Sequence, residues 1–408
     1  MSKLTCRFCG GPLIETFADL GTTPLANSFV PPPHATEPDI YYPLHARVCG
    51  ACLLVQLPLI ESRETIFRDY SYFSSYSDSW LEHCRRYAGR AAQRFALGPD
   101  SLVVEVASND GYLLQYFRDA SIPVLGVEPA ANVALAAEEK GVRTRVAFFG
   151  AATAQALVAE GFAADLAIAN NVLAHVPDIN DFVSGFKILL KPAGVLTVEF
   201  PSLGPMIAGG EFDTIYHEHF SYLCLRTAGR IFAAHGLDLF DVEHLPTHGG
   251  SLRLYLCHRG ARTIKPAVEE VLREESAAGL DRIETYRAFA AVPARAKAQI
   301  LEFLLQAKQH GKRVAGYGAP AKGNTLLNYC GIGPDLIPFT VDRSPHKQGR
   351  LLPGSRIPVR HPDAIAEARP DYLFILPWNL RDEIAAQMSH IRAWGGRFVV
   401  PVPGVKVF

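Results

Sequence analysis

The chain has 408 residues, 49% of them hydrophobic, and its 40 basic residues nearly cancel its 41 acidic ones. This length indicates two or three domains at roughly 150 residues each, and the balanced charge argues against nucleic acid as a partner. The first ten residues lack the apolar segment of a signal peptide, and no run reaches the roughly 18 apolar residues of a membrane span, so we expect a cytoplasmic protein without a membrane partner.

Four of the eight cysteines form two C-x2-C pairs in the amino-terminal region, namely Cys6 with Cys9 and Cys49 with Cys52. Two such pairs in a reducing compartment are typical of a tetrahedral Zn²⁺ site, because each short turn directs two thiolates at one ion. The alternative is two unrelated redox or buried pairs. Four thiolates close the coordination sphere, so the zinc would be structural and would stabilise residues 1–75, a unit too small for a core of its own.

The stretch "YSYFSSYSDSW" follows this unit and places three tyrosines among serines. It could form a surface for a polar ligand, or an ordinary aromatic linker packed on the next domain. We therefore include Tyr70, Tyr72 and Tyr76 among the predicted substrate-binding residues.

From about residue 100, short β-branched runs alternate with helical stretches, which is the pattern of parallel βα units. The predicted strands are 101–107, 124–129, 165–170 and 194–200, and residues 239–257 predict an antiparallel hairpin at the sheet edge. This arrangement resembles the sheet of class I S-adenosylmethionine-dependent methyltransferases. The prediction is an α/β protein with a zinc-binding module (1–75), a methyltransferase domain of that Rossmann-like class (76–262) and a second Rossmann-like domain (263–408).

The cofactor loop is predicted at "VVEVASNDGYLL", where Glu105 ends a strand and Gly111 begins the turn into a helix. Glu128 ends the next strand, where an acid can accept hydrogen bonds from both hydroxyls of a ribose. A nicotinamide dinucleotide would use the same acid, but Asn109 and Asp110 would crowd its pyrophosphate. S-adenosylmethionine, which is cationic and carries no phosphate, is therefore favoured.

The resemblance to methyltransferases extends the predicted cofactor site. Ala147 stands where many relatives carry an acid for the adenine amino group, so adenine would be recognised by backbone groups and Phe148 or Phe149. The predicted cofactor-binding residues are Glu105, Ser108, Asn109, Gly111, Glu128, Pro129, Phe148, Asn170 and Asn171.

A stretch at 211–223, "EFDTIYHEHFSYL", completes a set of motifs that spans nearly the whole chain. With the cysteine pairs, "ASNDG", "LAHVPD", "THGGSLR" and "GYGAPAKGNTLL", it resembles the C-methyltransferases that act on nucleotide-linked deoxy sugars. That resemblance implies His219 as the general base, with Tyr216, Glu218 and His175 as supporting catalytic groups.

Carbon methylation needs a carbanion, and a sugar carbon becomes acidic only beside a carbonyl such as a 4-keto group. Histidine is the usual side chain for a base near neutral pH. The resemblance therefore implies S-adenosylmethionine-dependent methylation of carbon 3 of a dTDP-linked 4-keto deoxy sugar through an enolate, and we expect the enzyme to be a monomer. The alternatives are O- or N-methylation of a related sugar and an inactive zinc-ribbon binding protein.

Two other interpretations of the histidine cluster remain open. His217 and His219 could bind a metal, although they lack the i, i+4 spacing of H-E-x-x-H and a third ligand nearby. The cluster could also be a polar, hydrogen-bonded loop.

In the last domain, "GYGAPAKGNTLL" predicts a glycine-rich turn from a strand into a helix, whose amides could hold a diphosphate. A degenerate fold without a ligand is the alternative. The predicted substrate-binding residues, besides the three tyrosines above, are Tyr222, His248, Lys322, Asn324, Asp342, Arg343 and Lys347.

Overall fold

A computed structural model describes residues 4–60 and 74–408; the predicted Tyr70 and Tyr72 lie outside these residues. The described strands are, in chain order, β1 (Glu15–Thr23), β2 (Tyr42–Val48), β3 (Val55–Gln56), β4 (Val103–Val106), β5 (Val124–Glu128), β6 (Thr144–Val146), β7 (Ala164–Asn170), β8 (Leu190–Pro201), β9 (Ser221–Tyr222), β10 (Leu237–Leu245), β11 (Ser251–His258), β12 (Val314–Tyr317), β13 (Thr340–Val341), β14 (Val359–Arg360), β15 (Tyr372–Ile375), β16 (Arg397–Val400) and β17 (Lys406–Val407).

The α-helices of the described residues connect these strands. They are Asp78–Arg94, Leu114–Asp119, Ala131–Glu139, Ala151–Ala159, Ile179–Leu189, Leu203–Ala208, Leu225–Ala234, Pro266–Ala277, Ile283–Phe289, Val292–Gln309, Ala321–Cys330, Ala364–Ala368 and Arg381–Gln387. None of them is both long enough and apolar enough to cross a membrane.

The central sheet has seven strands in the order β10-β11-β8-β7-β4-β5-β6. All neighbours are parallel except β11, which runs antiparallel to both β10 and β8. The predicted α/β fold and the predicted hairpin are both present. Because the parallel strands end at one edge, residues that follow β4, β5 and β7 converge there.

Helices cover both faces of this sheet because they present apolar stripes with a period of 3.6 residues. Helix Asp78–Arg94 buries Tyr87 and Ala91, and its first turn is capped by Ser77, whose hydroxyl accepts from the Trp80 amide. Helix Ile179–Leu189 is capped by Asp178 in the same way. One apolar cluster therefore lies on each side of the sheet.

The amino-terminal module contains a four-stranded sheet of order β1-β2-β3-β9, with antiparallel pairing throughout. Its fourth strand comes from the middle of the chain, with Val55 opposite Tyr222 and Gln56 opposite Ser221. The segment before β9 carries "YHEHF". This segment is therefore anchored to the module at its carboxyl end.

The carboxyl-terminal domain has a second sheet, of order β14-β13-β12-β15-β16-β17, in which all strands but β17 are parallel. The predicted glycine-rich turn joins β12 to helix Ala321–Cys330. That helix ends at Gly331, whose φ of +73° is left-handed and suits glycine. The predicted Rossmann-like arrangement is confirmed for this domain.

The three units pack on one another. One apolar cluster runs from the module, through residues 203–224, to the carboxyl-terminal domain. Helix Pro266–Ala277 buries Val268 and Val271 in the core of the seven-stranded sheet, although it lies beyond residue 262, the predicted end of that domain.

Candidate active site

The loop after β4 has an unusual backbone. Ala107, Asn109 and Gly111 all have left-handed φ angles, of 57°, 47° and 75°. For residues other than glycine this conformation is disfavoured, and such strain clusters at ligand-binding sites. The Asn109 side chain accepts a hydrogen bond from the Ser74 amide (2.9 Å), so the short segment that ends at the predicted Tyr76 lies against this loop.

Two acids lie at the carboxyl ends of β4 and β5, where they are predicted. Glu128 is 5% exposed, and its two oxygens accept from the amides of Asn109 (3.0 Å) and Ala130 (2.9 Å). Burial raises the pKa of Glu128 despite these bonds. Glu105 is fully buried, and burial, with the charges of Glu128 and Asp110, raises its pKa well above the ordinary value. A cationic ligand would relieve this concentration of negative charge.

Asn170, which ends β7, and Asn171, which follows it, lie at the same edge. Asn170 is 5% exposed, and neither atom of its amide has a hydrogen-bond partner among the described residues. The Nδ2 of Asn171 lies 3.4 Å from the Nε2 of His248. The buried hydroxyl of Ser108 also has no partner among the described residues. Unpaired buried polar groups are costly unless a ligand satisfies them, so these residues fit a cofactor rich in hydrogen-bonding groups.

The aromatic residues after β6 divide into two roles. Phe149 is buried and packs on Phe182 and Phe186, with ring centroids 5.6 and 4.7 Å away, so it belongs to the core. Phe148 and Pro129 are only half-buried. Phe148 is therefore the aromatic residue of this pair that can contact adenine.

Replacing Glu128 by alanine should weaken binding of S-adenosylhomocysteine, measured by calorimetry, by roughly thirtyfold, or about 2 kcal/mol. The change removes an acceptor for ribose hydroxyls and frees the amides of Asn109 and Ala130. Glu139→Ala, on an exposed acid at the end of the following helix, is the matched control and should bind normally. Unchanged affinity in Glu128→Ala, or NAD bound in preference, would contradict the assigned site.

His219 lies in the segment between the 3-10 helix Phe212–Thr214 and β9. Its Nδ1 lies 3.0 Å from the Thr214 carbonyl, to which it must donate, so the proton of the neutral ring is on Nδ1. The Nε2 atom is then the acceptor, and the Tyr216 hydroxyl donates to it at 2.7 Å. Burial lowers the pKa of His219 well below 6.5, and the positive charge of Lys322 contributes, so the ring is neutral at pH 7.

His175 and Tyr222 complete this group. The His175 ring meets the His219 ring edge-on, with centroids 4.7 Å apart, and burial lowers the pKa of His175 to about 4. The Tyr222 ring, 6% exposed, lies 6.0 Å from His219. The structure therefore brings together three of the four predicted catalytic residues and adds Tyr222, predicted to bind substrate, as a packing partner of His219.

Glu218 is not placed at the imidazole. Its two oxygens accept from the Asn27 amide of the zinc-binding module, at 2.7 and 2.9 Å, and burial raises its pKa to about 7. Glu218, predicted as a supporting catalytic group, therefore does not contact the imidazole, whose Nδ1 is held by the Thr214 carbonyl. Its carboxylate instead joins two parts of the chain.

His217 points away from His219. It is 4% exposed, its Nε2 lies 3.2 Å from the Pro43 carbonyl, and its ring packs against Tyr42. Among residues 4–60 and 74–408, the Cys6, Cys9, Cys49 and Cys52 group is the one set with the geometry of a metal site. A metal bound by His217 and His219 is therefore not supported.

Two acids in the same segment were not singled out from the sequence. Asp213 is fully buried, accepts from the Trp378 indole (2.8 Å) and leaves its other oxygen without a partner among the described residues. Glu211 is 7% exposed. Burial raises the pKa of Glu211 to about 7 and that of Asp213 to about 6, and the positive charge of Lys322 opposes both increases. The ammonium of Lys322 lies 4.2 Å above the Trp378 ring and donates to Asn379. Only the tertiary fold brings these groups together, and no spacing in the sequence signals it.

Other residues predicted to bind substrate in the last domain make protein contacts. The Asn324 side chain is 1% exposed and donates to the Ala26 carbonyl (2.6 Å). Asp342 accepts from the amides of Ala319 and Ser344, at 2.7 and 2.9 Å, and Lys347 donates to the Ala319 carbonyl. Asn324 thus holds the module, and Asp342 and Lys347 hold the glycine-rich turn.

Arg343 has a different position, because it lines a cavity of about 460 Å³ at the carboxyl edge of this sheet. The other lining residues are Tyr317, His361, Pro362, Gln387 and Met388. Ligands of parallel α/β sheets bind at such edges.

The four cysteines of the amino-terminal module form one cluster. The Sγ atoms of Cys6 and Cys52 are 3.6 Å apart, those of Cys9 and Cys49 are 3.5 Å apart, and all four lie within 4.8 Å of one another. Zinc–sulfur bonds of about 2.3 Å in a tetrahedron place sulfurs about 3.8 Å apart, so the cluster fits a Zn(Cys)₄ site.

The order of the central sheet, with its reversed strand β11, and the acids at the ends of β4 and β5 define a class I S-adenosylmethionine-dependent methyltransferase. Family models for a zinc binding domain, a methyltransferase domain and a C-methyltransferase C-terminal domain match residues 6–67, 80–242 and 246–403. The C-methyltransferase NovU of Streptomyces niveus is 38% identical over 403 residues, which cover 98% of this chain and 96% of NovU. The chain belongs to this C-methyltransferase family, which confirms the resemblance seen in the sequence.

Solved structures resemble parts of the chain. The 1,6-didemethyltoxoflavin-N1-methyltransferase of Burkholderia thailandensis is 19% identical, with a TM-score of 0.37, and the match covers 52% of this chain and 96% of that one. The CcbJ methyltransferase of Streptomyces caelestis is 14% identical, with a TM-score of 0.36, and the match covers 43% and 90%.

Proposed function

We propose that this C-methyltransferase acts on carbon 3 of a dTDP-linked 4-keto deoxy sugar and that His219 is the base. The observation that carries the proposal is the hydrogen-bonded pair of His219 and Tyr216. A neutral imidazole with its proton held on Nδ1 by the Thr214 carbonyl leaves Nε2 as the basic atom, which accepts from the Tyr216 hydroxyl.

The chemistry follows from the acidity of the substrate carbon. His219 would remove the proton from carbon 3, and the electrons of that bond would move to the 4-keto oxygen to form an enolate. The proton reaches Nε2 either directly, once the Tyr216 hydroxyl moves aside, or through Tyr216, which accepts it while passing its own proton to Nε2. Bound S-adenosylmethionine supplies an electrophilic methyl group, and Glu128, Asn170 and the loop at Asn109 would hold it.

The surroundings of the pair favour this role. His175 and His219 are neutral at pH 7, because burial lowers both pKa values, so the base is not already protonated. Lys322 offers a positive charge near His219, where negative charge would develop. The cavity lined by Arg343, Tyr317 and His361 is of a size that suits a nucleotide, and we assign it to the dTDP group.

The test is solvent exchange without a methyl donor. A dTDP-linked 4-keto deoxy sugar is incubated with the enzyme in deuterated water, and deuterium is located by NMR against a sample without enzyme. We expect deuterium at carbon 3. The same carbonyl also acidifies carbon 5, so deuterium at carbon 5 would instead indicate that carbon as the site of methylation. If the enzyme causes no exchange and transfers methyl to oxygen or nitrogen, the assignment to carbon is wrong.

A further inference from the structure

Arg7 links the cysteine cluster to the segment that carries His219. It lies inside the first C-x2-C turn, between Cys6 and Phe8. Its guanidinium donates to the carbonyls of Phe220 and Leu57, and one nitrogen also lies 3.3 Å from the Ser221 hydroxyl. Phe220 directly follows His219, and the Phe220 ring lies under the guanidinium, 5.5 Å from it.

The backbone of Arg7 is anchored by hydrogen bonds beside the cysteine cluster. The Arg7 amide donates to the Gln56 side-chain oxygen (3.0 Å), and the Gln56 side-chain nitrogen lies 3.1 Å from the Cys6 sulfur. The Arg7 carbonyl accepts from Asn180 of the methyltransferase domain (3.0 Å). The backbone of Arg7 is therefore held by strand β3 on one side and by helix Ile179–Leu189 on the other.

The cluster also supplies negative charge beside Arg7. No acidic side chain of residues 4–60 and 74–408 forms an ion pair with Arg7. Four thiolates around Zn²⁺ carry a formal charge of −2, and the metal requires them deprotonated. The Cys6 thiolate is thus a source of negative charge directly beside a guanidinium that the protein partly buries.

We infer that Arg7 is a positioning residue, through which the zinc site holds residues 216–222 and so the His219 imidazole in place. This inference rests on the proposed role of His219. A base must be held within a fraction of an ångström of its proton, and a displacement of about 1 Å can cost a hundredfold in rate. The zinc then acts on turnover as well as on the folding of its module.

The test compares Arg7→Met, Arg7→Lys and the control Arg47→Met. Arg47 belongs to the same module, but its guanidinium contacts Ile14 and His45, away from the His219 segment. We expect Arg7→Met to keep about one zinc per chain and normal affinity for S-adenosylhomocysteine. Its kcat should fall between about tenfold and a hundredfold, with little change in the KM for the methyl donor. Arg7→Lys should restore part of kcat, and Arg47→Met should match the wild type.

Hydrogen exchange of the peptide spanning residues 212–224 provides a readout that does not depend on the reaction. It should be at least about fivefold faster in Arg7→Met than in the wild type, while peptides of β12 and β15 remain unchanged. The inference would be overturned if Arg7→Met exchanged hydrogen and turned over substrate as the wild type does. It would also be overturned if the Arg7→Met protein lost its zinc. Should Arg7→Met not fold, unchanged exchange in Arg7→Lys would overturn it. The two proposals fail in different ways. If His219 is not the base for a 4-keto sugar but Arg7 does position the segment, the wild type shows no deuterium uptake into the sugar, whereas protection of residues 212–224 from exchange still depends on Arg7.

Discussion

His219→Asn should lower turnover by roughly a hundredfold or more while leaving folding and cofactor affinity intact, because it removes a proton-transfer group. Asparagine can keep the hydrogen bond to the Thr214 carbonyl but has no basic nitrogen. The assay is deuterium uptake into the 4-keto sugar, with the melting temperature and S-adenosylhomocysteine binding as checks.

Three variants refine this result. His217→Asn is the matched control, since His217 contacts Pro43 and not the imidazole, and it should retain turnover within a few-fold. Tyr216→Phe should cost as much as His219→Asn if Tyr216 relays the proton, and less if it only orients the ring. Uptake that persists unchanged in His219→Asn would move the base to His175, whose ring is 4.7 Å away.

The pH profile of the wild type follows from the lowered pKa of His219. A base works only when unprotonated, so the rate should be on its plateau at pH 7 and fall as the pH drops through that lowered value. A rate that still rises between pH 7 and 8 would be inconsistent with a neutral His219.

Loss of one zinc ligand should have the largest effect on stability. In Cys49→Ser a thiolate is replaced by a weak ligand, and metal binding to such sites contributes on the order of 10 kcal/mol to folding. We expect the zinc content, measured by elemental analysis, to fall from about one per chain to near zero, together with a marked loss of melting temperature.

Cys84→Ala is the control, because Cys84 is buried in the methyltransferase domain and lies outside the cluster. It should retain zinc, with only the modest destabilisation of a small cavity. Iron in place of zinc, or full zinc content in Cys49→Ser, would contradict the four-thiolate site.

The parts of the fold that local patterns encode were predictable. The spacing of the cysteine pairs specified the metal ligands, and alternation of strands and helices specified which acids meet at one sheet edge. Glu128 and Asn170 lie at the carboxyl edge of the sheet, where their strand positions predicted them, because parallel strands end at one edge. The His219 segment required the family resemblance, since two histidines around a glutamate have no regular spacing.

The contacts that were not predictable all join distant parts of the chain. Glu218 binds Asn27, Asn324 binds Ala26, and Asp213 binds Trp378. A polar residue in a sequence gives no sign of whether it faces a ligand or another domain. For Asn324, burial at the module interface therefore replaces the expected contact with substrate.

The pairing of β3 with β9 has a consequence for how this protein is made. During synthesis, β3 emerges with an unpaired edge that stays open until residues 221–222 leave the ribosome, well after the cysteine cluster could bind zinc. An amino-terminal fragment that ends before β9 therefore carries a permanently exposed strand edge, which is prone to self-association. Shortened versions of this enzyme should keep the amino-terminal region and residues through β9 in one polypeptide.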